Sequence, residues 1–253
     1  MSYYKLVFSP TGGTEKIADL IAKEWAQSVT NIDLSNPKDD FSKYSFNSED
    51  VVLIAMPSFG GRLPAVAAER LCKIKGNTAK CVLVCVYGNR AYEDTLAEME
   101  DIAVKCNFSI AAAISAVAEH SIMHQYATGR PDEKDIETLK MFSKQIIEKL
   151  NFSNMKEPKI PGNRPYKKAG SAGLTPKVDK NCINCEVCSN ECPVEAIDRT
   201  DVGKTDKNKC ISCMRCVVRC QHSAKKISGA LVSVAALAIK KACSERKEPE
   251  LFV

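Results

Sequence analysis

No G-x-G-x-x-G fingerprint and no lysine-bearing Walker A loop occurs in the 253 residues, so neither a dinucleotide nor ATP is the natural occupant. The longest mostly apolar run, Ala230 to Ile239, falls well short of the roughly 20 residues a spanning helix needs, and no membrane insertion is expected. The opening segment MSYYKLVFSP lacks a basic stretch followed by an apolar core and a small-residue cleavage site. With no export signal visible, the expected location is cytoplasmic. Disulfides are not expected either, despite 13 cysteines, because eight of them crowd between Cys182 and Cys220 at metal-ligand spacing.

What is present reads as a folded chain. Hydrophobic residues make up 45% and charged residues 26%, ordinary values for a globular protein and too apolar for extended disorder. Residues 1–150 alternate short runs rich in branched side chains with segments of helical period, the pattern of a parallel α/β sheet. Five strands are predicted: Tyr4 to Phe8, Asn31 to Leu34, Val51 to Met56, Cys81 to Tyr87 and Ser109 to Val117. Helices are predicted near 14–28, 64–74, 92–106 and 132–150. VVLIAM and CVLVCVY are apolar on both faces, as strands covered by helices on both sides should be. A doubly wound five-stranded sheet is the expected fold of this part.

Residues 151–176 hold four prolines and three glycines without apolar periodicity, which predicts a linker wrapped against one domain. Beyond it, NCINCEVCSNECPVEAI and KCISCMRCVVRCQHSAKKI match at an offset of 28 residues, a duplicated half-domain. This small second domain, of α+β type, is placed at 177–228. Residues 229–253 form a C-terminal helix and tail, with Val232, Ala235, Leu237 and Ile239 expected to pack.

Cys182, Cys185, Cys188 and Cys192, followed by Pro193, spell C-x2-C-x2-C-x3-C-P, and Cys210, Cys213, Cys216 and Cys220 repeat the spacing. Over about 177–228 this resembles the bacterial two-cluster ferredoxins. The resemblance implies two [4Fe-4S] clusters, the first on Cys182, Cys185, Cys188 and Cys220, the second on Cys210, Cys213, Cys216 and Cys192. Gln221 departs from the pattern where a proline usually follows the fourth cysteine. The alternative, a pair of four-cysteine zinc sites, would favour separated C-x2-C knuckles over triplets.

Formal charge is −3 over residues 1–155 but +4 over 156–176 and +4 over 177–253. Eight thiolates and two cluster cores of +2 would bring the last segment to about zero. The basic residues thus read as compensation for clusters, and no nucleic-acid partner is expected.

Ser9-Pro10-Thr11-Gly12-Gly13-Thr14 stands where the first strand enters a helix, a place that favours an anion and suits a terminal monophosphate. SPTGGT resembles the phosphate loop of flavodoxins. That likeness implies FMN, with Ser9, Thr11, Gly12, Gly13 and Thr14 at its phosphate. In the flavodoxin strand order the ligand also meets the loops after the third and fourth strands. Those loops offer Ser58, Phe59, Gly60, Gly61 and Arg62, then Tyr87, Gly88, Asn89 and Tyr92, with Phe59 and Tyr92 expected beside the ring. His120 and His124 follow the fifth strand, near the same edge. Either can carry a proton to a reduced flavin or gate substrate, though a structural role is the commoner fate of such a histidine. The remaining cysteines, 72, 81, 85, 106 and 243, are expected to be buried or idle thiols.

Taken over nearly its whole length, the chain resembles the fused flavodoxin-ferredoxin proteins of anaerobes grouped as the EFR family. The resemblance implies an oxidoreductase or carrier in which FMN exchanges two electrons and the clusters pass them singly, with other redox proteins as donor or acceptor. A second reading is a ferredoxin-type carrier whose first domain only docks partners. The linker is long enough for flavin and cluster to meet within one chain or across a homodimer.

Overall fold

The computed structural model describes residues 1–152, 156–170 and 172–253; positions 153–155 and 171 of the linker lie outside the described residues. Its main sheet has six strands: β1 Tyr3–Val7, β2 Thr30–Asp33, β3 Val51–Pro57, β4 Lys80–Tyr87, β5 Ser109–Val117 and, from the far end of the chain, β8 Glu250–Phe252. The spatial order is β2-β1-β3-β4-β5-β8. The first five strands are parallel, in the doubly wound order 2-1-3-4-5. β8 runs antiparallel to β5, with Ser115 opposite Glu250. The sheet of five strands expected from sequence is therefore corrected to six. A three-residue strand carries no periodicity of its own, and ELF pairs only because β5 presents a free edge.

Every residue of β3 is buried, and its side chains alternate between two cores. Val51, Leu53 and Ala55 face a layer with Ile17, Ile21, Leu139 and Ile146. These come from helices α1 Gly13–Ala22 and α4 Glu133–Leu150. Val52, Ile54 and Met56 face Ala67, Leu71, Leu96 and Met99, which belong to α2 Ala65–Leu71 and α3 Thr95–Lys105. Parallel strands with crossover helices leave both sheet faces covered, which is why these strands read as continuous apolar runs. Helix α4 starts on a capping box in which Asp132 and Asp135 each accept from the other's backbone N–H.

The linker lies along α3. Asp94 accepts from the N–H groups of Asn163 at 2.8 Å and Lys167 at 2.7 Å, and Arg164 pairs with Glu100 and Asp101. After it, β6 Lys177–Val178 and β7 Lys225–Lys226 form a two-stranded antiparallel sheet that closes the cysteine-rich lobe. Two short helices, α5 Val187–Asn190 and α6 Arg215–Val218, lie at matching places within the two halves of the repeat. The 28-residue offset recurs in the backbone, where Asn184 and Ser212, Glu186 and Met214, and Glu195 and Ser223 are three matched pairs with positive φ.

Helix α7, Gly229–Ile239, packs Val232, Ala235, Ala236 and Ile239 beside Met123 and Leu174. Leu237 is corrected from the packing set, being 69% exposed. At 100° per residue it lies across the helix from Val232 and Ile239, which already fill the contact.

Candidate redox sites

The eight motif cysteines surround two separate cavities. Cys182, Cys185, Cys188 and Cys220 line one, and Cys192, Cys210, Cys213 and Cys216 line the other. The chain therefore brings together three close cysteines of one motif and the last cysteine of the other, twice. Turning the fourth cysteine away is a local act of the backbone. Each of Cys192 and Cys220 accepts an N–H four residues on, from Ala196 and Ala224, both at 3.3 Å. Among the described residues no three Cys, His, Asp or Glu side chains converge on one metal ion. A single zinc would draw its sulfurs to about 2.3 Å from one point, whereas a cubane takes each thiolate on a different iron.

Electrostatics set the conditions for loading. Burial pushes the thiols of Cys213 and Cys216 up to about 12, and burial also raises Cys188. Left to themselves these thiols keep their protons at neutral pH; a metal centre supplies the positive charge that removes them. The donor set, the enclosure and the partition fit two four-iron clusters.

The two cavities are not equally placed. Ile211, inside the second motif, packs against the core of the sheet, and Cys213 is buried. Their repeat partners Ile183 and Cys185 are exposed. The second cavity is anchored by Arg70 of α2, which is 9% exposed and donates to the carbonyl oxygens of Leu34 at 2.6 Å and Pro193 at 2.7 Å. Arg215 of α6 adds an ion pair to Glu191 at 2.6 Å and reaches Asp33 at 3.6 Å.

At the SPTGGT loop, Gly12 takes φ +91, a left-handed conformation that suits glycine, and caps α1. Ser9 is buried and its hydroxyl accepts the N–H of Glu15 at 2.9 Å, so this hydroxyl also serves the helix. Thr14 is buried; Thr11 and Gly13 are half-buried. Among the described residues the N–H groups of Thr11, Gly12, Gly13 and Thr14 meet no acceptor within the chain. Such unpaired donors at a helix start fit a phosphate.

The ring end of the expected flavin site is different. Phe59-Gly60-Gly61-Arg62 forms a tight turn in which both glycines have positive φ, with Phe59 and Arg62 bonded across it. Ser58 Oγ lies 2.7 Å from Thr95 Oγ1. The Arg62 guanidinium grips Glu98 through two bonds of 2.8 Å. Glu93 lies so close to Gly61 that its carboxylate leaves no room for a Cβ there, and Lys167 of the linker pairs with Glu93 at 2.5 Å. Asn89 and Tyr92 meet the tail of the chain. The Asn89 carboxamide donates to Glu245 O at 2.8 Å and accepts from Lys247, and the Tyr92 hydroxyl donates to Glu250 at 2.8 Å. Tyr87 is buried with its ring edge-on to Tyr92, centroids 5.3 Å apart. Nothing in the sequence of the tail signalled these contacts, which span more than 150 residues.

Gly88 lies under His120, whose ring carbons would sit 2.7–2.8 Å from any Cβ at that position. His120 Nδ1 accepts the N–H groups of Ile122 and Met123, both at 3.2 Å. Burial, reinforced by His124, lowers its pKa to about 4. The ring is thus neutral at physiological pH, with its proton on Nε2, and its Nδ1 serves as a structural acceptor. His124 is exposed and pairs with Glu119 at 2.7 Å. Of the other cysteines, 81, 85, 106 and 243 are buried and Cys72 is exposed.

The parallel order and the covering helices make this an α/β protein of doubly wound type. Comparison with known proteins adds the following. Flavodoxin from Streptococcus pneumonia TIGR4 superposes with a TM-score of 0.44 at 23% identity, over 58% of this chain and 99% of its own. Oxidised flavodoxin 1 from Bacillus cereus gives 0.42 at 13% identity, over 58% and 98%. Rubredoxin oxygen:oxidoreductase from Desulfovibrio gigas gives 0.38 at 15% identity, over 59% of this chain and 36% of its own. The sequence matches no protein-family model, and it matches no curated protein. Among the described residues no helix is long and apolar enough to cross a membrane.

Proposed function

We propose that this protein transfers electrons through two [4Fe-4S] clusters, exchanging them with an FMN whose phosphate is held by Thr11, Gly12, Gly13 and Thr14, with Ser9 behind them. The observation that carries the reading is the pair of four-cysteine cavities, each built from three cysteines of one motif and the last of the other. When bound, the flavin supplies conversion between one-electron and two-electron steps. The chain's own residues bind and orient: eight cysteines ligate, Arg70 and Ile211 hold the second set against the sheet, and the SPTGGT backbone offers unpaired donors. Other redox proteins are the donors and acceptors. The test is an absorption spectrum of protein purified without oxygen, with iron, sulfide and released flavin quantified. The expected result is about eight irons and one FMN per chain; a chain without iron would sink the proposal.

A second reading has a specific observation behind it. The tail engages Asn89 and Tyr92, and the linker reaches Glu93 beside Gly61, so this chain's own segments cover two of the three loops expected around a flavin ring. On that reading the protein is a ferredoxin-type carrier and its sheet domain a docking module. Iron without flavin, together with a Thr11→Ala variant identical to wild type in cofactor content, is its expected signature.

A further inference from the structure

Position 225 breaks the internal repeat. The 28-residue offset pairs Lys225 with Ile197, and the two are 1% and 5% exposed. Where the first half has a hydrocarbon, the second has a buried amine on a four-carbon stem. Lys225 Nζ donates to the carbonyl oxygen of Val202 at 2.9 Å and to Thr205 Oγ1 at 3.2 Å. Val202 and Lys225 itself line the cavity of Cys182, Cys185, Cys188 and Cys220, while Thr205 lines the cavity of the other four cysteines. The ammonium therefore stands between the two cavities.

Both of its acceptors are neutral, and among the described residues no carboxylate pairs with it. An unpaired ammonium is disfavoured in such a place, and a residue like Ile197 would fill the space without that penalty. Something negative has to lie nearby. The candidates that the lobe offers are the motif sulfurs lining the cavities on either side.

We infer that Lys225 is a fixed positive charge sealed between two [4Fe-4S] clusters, which raises the reduction potential of both and of the Cys182 cluster more. The inference rests on the cluster reading above. In each reduction one electron enters, taking the core from +2 to +1 while the four thiolates are unchanged, so the ligated unit goes from −2 to −3. A nearby cation favours the more negative state, and in a buried setting salt screens it little. Lys225 lines the first cavity alone, which ranks the two effects.

The experiment is a dithionite titration of the anaerobic full-length protein followed by electron paramagnetic resonance, comparing wild type with Lys225→Met and with Lys225→Gln, which keeps a donor but no charge. The expected result is at least a tenfold loss in the reduction equilibrium of the Cys182 cluster, 59 mV or more to the negative. The second cluster should move the same way by less, and both shifts should persist from low to high salt. Variants that bind eight irons with unchanged potentials would overturn the inference. So would failure of both variants to hold iron, which would make Lys225 a packing residue. Absence of iron and sulfide from the wild type would instead be the failure of the cluster reading itself.

Discussion

Arg70 of α2 donates to the carbonyl oxygen of Pro193 at 2.7 Å, and Pro193 directly follows the cysteine that ends the first motif. One buried guanidinium thus ties the helical layer of the sheet to the wall of the second cysteine cavity. Its other arm reaches Leu34 at 2.6 Å, just beyond β2. Position of the cavity relative to the sheet depends on this arginine, on Arg215 and on Ile211, three residues from two distant stretches of chain.

Substituting Arg70→Met is expected to leave two buried carbonyls without their donor and to cost about 2–3 kcal/mol. Urea unfolding of the whole chain reads the loss. The cysteine-rich lobe should also become the more readily proteolysed part of the variant. An unchanged midpoint with unchanged proteolysis would mean that this contact does not hold the lobe.

On the proposed cluster reading, chelation under reducing conditions is expected to unfold the lobe and spare the sheet. The lobe's own buried cluster is small, with Ala196, Ile197 and Val202 packed among cysteines. The sheet has two extensive cores. A domain with so little apolar burial draws much of its stability from any metal that it binds. Hydrogen exchange should show protection lost after Lys177 and retained in β1 to β5; protection retained in both would contradict the expectation.

His120 makes stability fall on acidification. Its pKa is lowered to about 4 in the folded chain, against about 6.5 when unfolded, so between those values the unfolded state binds the extra proton. Stability is full above pH 6.5 and declines as pH drops toward 4, by about 3 kcal/mol at most. His120→Asn keeps an acceptor for Ile122 and Met123 and should flatten this part of the pH profile, as measured by unfolding at pH 7 and pH 4.5. A variant with the same acid slope as wild type would assign the decline elsewhere.

Tyr87 and Tyr92 act at the opposite end of the pH scale. Burial raises both phenols, and the carboxylate of Glu250 raises them further. Because the folded state keeps these protons when the unfolded chain gives them up near 10, their contribution is complete below that pH and is lost as pH rises above it. Ultraviolet titration should find two tyrosines that ionise only with unfolding. Tyr92→Phe is expected to remove one of them and to cost about 1 kcal/mol at neutral pH, since Ser115 still donates to Glu250.

The sequence alone specified the parallel α/β pattern and the eight-cysteine repeat. Both are local properties: a strand buried on two faces must be apolar at every position, and a C-x2-C-x2-C triplet places its thiolates within one short loop. Tertiary structure decided the rest. The tail's return as β8, the taking of Asn89 and Tyr92 by residues 245–250, and the docking of the second cysteine cavity on the sheet through Ile211 and Pro193 all join parts of the chain far apart in sequence. No periodicity records such pairings. Lys225 stands between the two cases: the repeat marks it as the residue opposite Ile197, but only the folded lobe puts its ammonium between two rings of sulfur, because burial and proximity are made by packing.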